Sequence, residues 1–570
     1  MKTPILGSSY VVRSVNAADN RMVNLYPEVI PEGGKEPAYL QRCPGLRFVK
    51  AVGTGPIRAL YTLNQYAYVV SGSELYRVDT SYNATKLGDV TGTGPVSIAD
   101  NGIQLFLACN PDAFIYNTTT NVFAQVTDSD FPGAVTVGYL DGYFVFNEPN
   151  SQRVWVTALF DGTSIDPLDF ASAEAAPDNL VALIVDHREA WLFGTNSTEV
   201  WYNSGDPDFP LTRIQGAYNE IGCVAPYSVA KMDNSVFWLG ADARGQGIVY
   251  RAQGYQAVRV STHAIEFAIQ QYDNMTDALA YTYQQDGHTF YVLIFPSADT
   301  TWVYDAATGA WHERAGFTRG QFTRHRSNCH TSFQGEPLVG DYQNGNLYAL
   351  DLTVYADNGL TQKWLRRWRA LPTGANNLKR TAQHTLQLDC ETGVGLQGYD
   401  IFSDSTDIRY LATQNDLRIR TEQTPLPVSL VPGPPYGVVS SSDVTYTVTG
   451  TVLSSAGTSY TVGNTVLNPQ GVAYIIGVLD GSGYDIILDQ AYTVGVDPQV
   501  MLRWSDDGGH TWNGERNTSM GRVGKYGHRA IWRRLGMTTK LRDRVYEVSG
   551  TDPVKIAIMG AELQLSGTAA

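Results

Sequence analysis

The chain has 570 residues, with 41 Lys and Arg against 56 Asp and Glu, so its formal net charge is −15 at pH 7. That balance excludes a dedicated nucleic-acid clamp, which is basic, and the length exceeds one ordinary domain, so two or three are expected. With 43% hydrophobic and 11% aromatic residues, 55 Gly, 26 Pro and 34 Tyr, the composition favours turns and pleated strands and predicts a mostly β protein.

Met1–Ser14 is broken by Pro4 and Gly7 and lacks the apolar centre of a secretion signal, so export is not expected. Nowhere does an apolar run reach the length of about 18 residues that a membrane-spanning helix needs. The five cysteines, Cys43, Cys109, Cys223, Cys329 and Cys390, are odd in number and lie at least 60 residues apart. This pattern predicts reduced, buried thiols and a reducing assembly compartment.

A repeat dominates the chain up to about residue 380. Its mark is an aliphatic–aromatic pair: Leu75-Tyr76, Ile115-Tyr116, Val154-Trp155, Val200-Trp201, Val249-Tyr250, Val303-Tyr304 and Leu347-Tyr348. The aromatic positions are separated by 40, 39, 46, 49, 54 and 44 residues, which matches the roughly 40–50 residues of a propeller blade. Most pairs are preceded by an apolar strand such as Tyr66–Val70, Tyr143–Phe146 or Phe290–Leu293. A small sheet that is apolar on both faces is not stable alone, and stacking such sheets around an axis buries both. The reading is a β-propeller of about seven blades over 51–380, with residues 1–50 an extended segment that closes or braces it. Six or eight blades remain open, because one unit can be built from both chain ends. One helix is expected on a blade edge: Ser261 and Thr262 are capping residues, and Ala264, Ile265, Ala268, Ile269 and Tyr272 share a face.

From about residue 381 the period is lost. Alternating segments at Thr385–Asp389, Val500–Trp504, Val554–Met559 and Glu562–Leu565 predict a β-sandwich-like domain built from 381–403 and 498–570. Residues 404–497 differ in composition, with Pro425, Pro427, Pro432, Pro434 and Pro435 followed by Ser, Thr, Gly and Val and by strand-like Tyr446–Val448 and Tyr474–Ile476. They read as a small inserted β module.

The sharpest local motif runs from Ser505 to Trp512 and has the S-x-D-x-G-x-T-W form of an Asp-box, its signature residues being Ser505, Asp507, Gly509, Thr511 and Trp512. Its mechanics are structural: Asp507 accepts backbone N–H bonds in a turn whose glycines allow positive φ, and Trp512 packs beneath. Asp-boxes occur in sialidases, so a glycoside hydrolase is an alternative. A single box outside the repeats, with no arginine cluster, tyrosine nucleophile and acid pair set apart by spacing, argues against it. His325, Cys329 and His330 carry zinc-ligand chemistry but have no second cluster and read as a surface loop. Asp128-Ser129-Asp130 lacks the rest of a calcium loop and reads as a solvated turn. No H-E-x-x-H, C-x-x-C, G-x-S-x-G or P-loop motif is present, and no catalytic, cofactor or metal residue is expected.

Charge is uneven. Residues 363–380 hold Lys363, Arg366, Arg367, Arg369, Lys379 and Arg380 without an acid, and Trp364 and Trp368 interleave with them. Arginine and tryptophan are anchor residues at interfaces, so Trp364, Arg366, Arg367, Trp368 and Arg369 are read as a subunit docking surface, with a solvated basic face as the alternative. Residues 498–570 carry a net +4, which leaves −19 for residues 1–497.

Arg21-Met22-Val23-Asn24-Leu25-Tyr26-Pro27-Glu28, then Leu40 to Pro44-Gly45-Leu46, the stretch Thr262–Ile269, the Asp-box and the string Arg529–Gly536 occur in this order. Together they resemble the packaged-DNA-stabilisation proteins of short-tailed bacteriophages, which form the tail hub or nozzle. The resemblance covers about residues 10–400 and 498–565, and residues 404–497 depart from it. It implies a structural virion protein that is not an enzyme: a ring, a hexamer, below the head-to-tail adaptor, which retains packaged DNA and forms the channel for its ejection. Tailspike or fibre and needle or plug proteins are implied neighbours, with double-stranded DNA passing through without sequence recognition. The implied location is the virion tail, assembled in the bacterial cytoplasm, without cofactor or membrane anchor. Besides the sialidase-like alternative, a carbohydrate-binding adhesin remains open through Tyr436, Tyr446, Tyr460 and Tyr484 of the inserted module.

Overall fold

A computed structural model describes residues 1–15, 17–174, 176–242, 245–372, 380–394, 498–521, 524–538 and 544–567, and within 395–497 only the backbone of short strands. The chain forms two compact units, one of residues 1–391, 499–518 and 529–570, the other of 392–498 and 519–528. Pro425, Tyr436 and Lys379 lie outside the described residues, as do the side chains of Tyr446, Tyr460 and Tyr484.

In the first unit, successive strands pair antiparallel into small sheets that repeat along the chain. Blade 1 runs from Ile57–Leu63 to Ala84–Asp89, blade 2 from Ser97–Asp100 to Val122–Gln125, blade 3 from Val137–Leu140 to Phe170–Ser172, and blade 4 from Leu180–Asp186 to Leu211–Asn219. Blade 5 runs from Ala230–Met232 to Gln256–Arg259 and blade 6 from Leu279–Gln285 to Ala310–Glu313. Blade 7 has only three strands of its own, Ser327–Phe333, Glu336–Asp341 and Asn346–Asp351; its fourth is Gly45–Ala51, antiparallel to Asn346–Asp351. The innermost strand of blade 7 lies against that of blade 1, so the ring of blades closes. The innermost strands of all seven blades surround an axial channel of about 550 Å³.

What holds the ring together is a separate apolar core at every seam. Leu105, Leu107 and Tyr116 of blade 2 meet Tyr68, Val70 and Leu75 of blade 1. Phe144, Phe146 and Trp155 of blade 3 meet Phe106 and Ile115 of blade 2. The same pattern recurs around the circle to the last seam, where Val52, Ile57 and Val69 pack on Phe333, Leu338 and Leu347. The helix forms at His263–Ile269, with Thr262 Oγ1 accepting from the Ile265 amide, and it buries Ile265 and Ile269 in the seam between blades 5 and 6.

The sandwich is hydrogen-bonded into this ring. Met22–Val23 runs parallel to the outer strand of blade 6 and antiparallel to Trp364–Arg369. The blade 6 sheet therefore continues through Trp364–Arg369, Val545–Gly550, Gln499–Ser505 and Arg516–Ser519. A second sheet, in the order Leu25–Val29, Ala38–Arg42, Ala557–Gly567, Thr381–Cys390 and Ala530–Arg533, supplies the other layer. The N-terminal fifty residues thus divide between two tasks: Gly45–Ala51 completes blade 7, while Met22–Val23, Leu25–Val29 and Ala38–Arg42 belong to the sandwich layers. Trp364–Arg369, placed within the propeller span by sequence, is a sandwich strand. In the second unit, Ala473–Asp480 pairs antiparallel with Gly483–Gln490.

A Cβ at Gly340 of blade 7 would overlap the Ile57 side chain of blade 1, whereas one at Gly94 would meet nothing within 4 Å. Gly340→Val is therefore expected to lower stability by about 1–3 kcal/mol through overpacking of the closing seam, while Gly94→Ala leaves the urea midpoint unchanged. Equal midpoints for the two variants would show that the seam between the last and first blades bears no strain.

Candidate functional site at the propeller–sandwich junction

The strand Trp364–Arg369 turns nearly all of its chemistry inward. Trp364, Arg366 and Trp368 are no more than 1% exposed. Arg366 Nε donates to the Ile5 carbonyl at 2.6 Å and Trp368 Nε1 to Thr3 Oγ1 at 2.9 Å. The expected docking surface is corrected accordingly: a guanidinium and two indoles enclosed by their own chain cannot meet a neighbouring subunit. Arg367 is also engaged, bound at 3.0 Å to both carboxylate oxygens of Asp19 and at 2.7 and 2.9 Å to Glu547 Oε2. Arg369 Nη2 donates to the Val15 carbonyl at 3.1 Å. The alternation of the strand is real, but both of its faces are covered.

Arg367 is the centre of the arrangement. Asp19 and Glu547 are almost without solvent contact, and Arg503 makes a second bond to Glu547 at 2.5 Å. Burial pushes the Asp19 carboxyl upward and Arg367 pulls it back, as a buried acid with a cationic partner behaves. The guanidinium groups of Arg367 and Arg503 lie 4.6 and 4.9 Å from the Trp512 ring, so the indole of the Asp-box rests against the ion network.

The Asp-box itself is a tight, fully bonded turn between Gln499–Ser505 and Arg516–Ser519. Asp507 Oδ1 accepts from the Ser505 hydroxyl at 2.6 Å and from the His510 and Thr511 amides at 2.9 Å, and Oδ2 accepts from Thr511 Oγ1 at 2.6 Å. These bonds, the Ser505 hydroxyl foremost, hold the Asp507 carboxyl well below the ordinary carboxylate range. Gly508 and Gly509 take φ of 82° and 110°, and a Cβ on Gly509 would press on Asp19 at 2.7 Å. Trp512 Nε1 closes the turn on the Gly509 carbonyl at 3.1 Å. The neighbouring Asp506 forms two bonds, 2.6 and 2.7 Å, with Arg544. The Ser505, Asp507, Thr511 and Trp512 side chains are thus engaged in closing the turn, and Asp506 ties it to Arg544.

The seven aromatic anchors occupy one equivalent place. Each lies on the third strand of its blade, and each packs into the seam toward the preceding blade: Tyr76 on blade 7, Tyr116 on blade 1, Trp155 on blade 2, Trp201 on blade 3, Tyr250 on blade 4, Tyr304 on blade 5 and Tyr348 on blade 6. His325, Cys329 and His330 are not on a surface loop. His325 is fully buried with Nδ1 2.6 Å from Ser327 Oγ, and Cys329 and His330 lie on the innermost strand of blade 7. Asp128 caps its own turn, accepting from the Asp130 amide at 3.0 Å.

The ion network has no sequence signature, because Asp19, Arg367, Arg503 and Glu547 come from four distant segments. A second junction is equally cryptic: His288 of blade 6 places Nδ1 2.9 Å from Asp305 and Nε2 2.6 Å from Glu28 on the sandwich strand Leu25–Val29. The hydrogen bond to Asp305, with that to Glu28 and against the cost of burial, raises the imidazole to about 9.

The channel does not gather the groups that glycoside chemistry needs. Its charged lining residues are Arg58, Asp100 and Lys231. Arg58 is satisfied by the carbonyls of Gly94, Gly72 and Thr91 at 2.6–3.0 Å, and Asp100 by the Tyr61 hydroxyl at 2.5 Å. Nothing here supports the sialidase reading. A closed propeller is thus joined by hydrogen bonds and buried ion pairs to a sandwich.

The description "Bacteriophage P22 Gp10, beta-propeller" matches residues 1–355, and "Bacteriophage P22 Gp10, beta-sandwich" matches residues 481–566. The chain belongs to this family of phage stabilisation proteins, structural components of the phage and its tail hub. The sandwich match begins inside the stretch assigned by composition to the inserted module. No curated protein matches. Among solved structures, similarity reaches streptogramin B lyase at 8% identity over 57% of this chain and 98% of that one, with TM-score 0.36. It also reaches the computationally designed Ika8 protein at 10% identity, over 54% and 99%, with TM-score 0.34. PorZ of Porphyromonas gingivalis is similar at 12% identity, over 57% and 43%, with TM-score 0.32.

Arg367→Ala would leave Asp19 and Glu547 buried without their shared cation, at an expected cost of about 3–5 kcal/mol. Arg367→Lys recovers only part, since an ammonium cannot keep the forked geometry; equilibrium unfolding of both variants checks this. For His288 the folded imidazole titrates near 9 against an ordinary value of 6.5, so its stabilising contribution is complete below pH 6.5 and is lost as pH rises through about 9. The difference in Tm between wild type and His288→Gln should therefore shrink between pH 6 and pH 9.5; a constant difference would contradict the assignment.

Proposed function

We propose that this chain is the subunit of a ring in the tail of a short-tailed phage, below the head-to-tail adaptor, where it retains packaged DNA and forms the conduit for its ejection. It catalyses no reaction. The observation that carries this reading is the continuous sheet that joins blade 6 to the sandwich, in a chain of the P22 Gp10 family. Such a joint makes one stiff block from two architectures, suited to stacking in an assembly rather than to closing on a substrate.

The partners we assign are further copies of the same chain in a hexamer, the adaptor ring, tailspike or fibre proteins, and a needle or plug. The innermost strands of the seven blades close on a cavity of about 550 Å³ lined by side chains such as Tyr61, Tyr139 and Tyr281, so we assign the conduit to the space between subunits rather than to the propeller axis. The net charge of −19 over residues 1–497 suits a lumen that repels phosphates, because adhesion requires charge neutralisation and counterion release.

Native mass and particle symmetry, measured on the chain alone and on virion tails, test the ring: sixfold particles are expected, and a monomer that joins no tail would refute the assignment. If acids line the conduit, replacing lumen-facing acids with lysine should slow genome ejection at low salt, with the effect fading as salt rises. An unchanged ejection rate would remove the electrostatic part and leave the ring untouched.

A further inference from the structure

Exposed apolar side chains are not spread evenly over the propeller. Among the described residues of the seven blades, the large apolar side chains more than half exposed are Ile103, Val122, Leu159, Phe160 and Leu168, and all belong to blades 2 and 3. Phe160 N donates to the Gly142 carbonyl at 2.7 Å, and a Cβ on Gly142 would press on Leu159 at 2.6 Å. The Phe160 carbonyl accepts from Asn101 Nδ2 at 3.3 Å, two residues before Ile103. The last loop of blade 3 thus lies across the first hairpins of blades 2 and 3 and brings Ile103, Leu159 and Phe160 to one place. Phe160 takes φ of 61°, a costly conformation for a bulky residue, and its ring is still 63% exposed.

Carboxylates accompany this patch. Asp100, Asp161 and Asp166 bond only to neutral groups among the described residues: the Tyr61 hydroxyl at 2.5 Å, the Thr163 hydroxyl at 2.7 Å and the Leu168 amide at 2.9 Å are their main donors. Burial and the nearby Asp166 raise the Asp169 carboxyl, as expected of two acids without a cation.

In a ring of seven blades, blades 2 and 3 stand across the axis from blade 6, where the sandwich begins. The sheet that leaves blade 6 ends on Arg516–Ser519, and the second sandwich sheet ends on Ala530–Arg533. Arg516 Nη1 ties these two last strands, donating to the Arg533 and Arg534 carbonyls at 3.4 and 3.2 Å. The side chains of Arg533 and Arg534 are exposed and have no carboxylate partner among the described residues, and Met537 beside them is 48% exposed. The segment 498–570 carries +4 against −19 for the rest of the chain. One chain therefore displays an acidic apolar patch and, across the propeller axis, a basic apolar edge.

We propose that the patch around Phe160 and Leu168 receives the sandwich edge of a second copy, with Met537 against the apolar side chains and Arg533 and Arg534 facing the carboxylates. Apolar groups within a charged rim have the make-up of a protein interface. The contact joins two different surfaces, so it repeats head to tail and closes into a ring; the patch meeting its own copy would set like charges together. This contact rests on the reading of the chain as a ring subunit.

Two full-length variants test it, one carrying Asp166→Lys with Leu168→Lys, the other Arg533→Glu with Arg534→Glu. All four positions are exposed, so both variants should keep the wild-type Tm. Native mass and particle symmetry, read on the purified chain and on virion tails assembled from it, should show each variant alone failing to form rings, with association weakened about tenfold or more. An equal mixture should restore rings of alternating subunits, because each altered surface then meets one of opposite charge. Rings formed by either variant alone, or a mixture that stays dispersed, would overturn the contact and leave the ring reading standing. So would an intact Phe160→Asp ring that has lost another tail protein, which would give the patch to that protein. A wild type that forms no ring, alone or on tails, would refute the ring reading and the contact with it.

Discussion

A blade of this propeller has two apolar faces, and neither can be buried by the blade itself. The aliphatic–aromatic pair on each third strand shows how the chain answers that constraint. Successive side chains on a strand point to opposite faces, so the aromatic member enters the seam toward the preceding blade and its aliphatic neighbour enters the seam toward the following one. Tyr116 packs on blade 1 while Ile115 packs on blade 3; Trp201 packs on blade 3 while Val200 packs on blade 5. Full burial of one such side chain is worth about 1.5–3 kcal/mol. The gain at any blade requires both neighbours, and the ring has no stable end until blade 7 meets blade 1. That last meeting depends on Gly45–Ala51, so the two ends of the propeller segment are tied together by strand pairing.

The same N-terminal segment explains why the propeller and sandwich form one unit. Between its first residues and Gly45–Ala51 it supplies Met22–Val23 to one sandwich layer and Leu25–Val29 and Ala38–Arg42 to the other. Closing the ring therefore positions the sandwich. Buried cations set the register: Arg42 donates to the carbonyls of Val554 and Tyr355 at 2.9 and 3.0 Å, and Arg367 joins Asp19 to Glu547. Enclosed ion pairs contribute little net stability against an apolar replacement, but a misaligned strand would strand a charge. At this junction their effect is to forbid alternatives.

Much of this was legible in the amino-acid order because it rests on local rules. The anchors are readable because burial on both faces demands an apolar pair on the third strand of each blade. The helix announces itself by Thr262 and its apolar face, and the partners of Asp507 in the Asp-box all lie within eight residues. Trp364–Arg369 misled for a physical reason: a run of arginines looks like a solvated or docking face, and only the fold shows that distant carbonyls and carboxylates satisfy it. His325 and His330 misled similarly, since a polar pair with few apolar neighbours in sequence lies on or beside the innermost strand of a blade. Nothing in the spacing of Asp19, Arg367, Arg503 and Glu547, or of Glu28, His288 and Asp305, foretells their meeting.

Propeller blades present an outer edge strand to solvent, and unpaired edges invite strand addition by other chains. This chain treats its edges in three ways. On blade 6 the edge is paired by Met22–Val23, and on blade 7 by Ala356–Asp357 running parallel to Gly45–Ala51. On blades 2 and 3 the edge strands are short, Val122–Gln125 and Phe170–Ser172. On blade 1 a bulge between Lys86 and Gly88 breaks the ladder, and Lys86 forms ion pairs with Glu74 at 2.6 Å and Asp89 at 2.8 Å. Strand addition is thereby discouraged at these five edges. With the apolar faces enclosed in seams as well, contacts made there with other molecules must use the side chains of outer strands and turns. Such contacts draw on exposed side chains, among them Val122, Phe160 and Leu168, so neighbours can join a preformed block without any blade having to open.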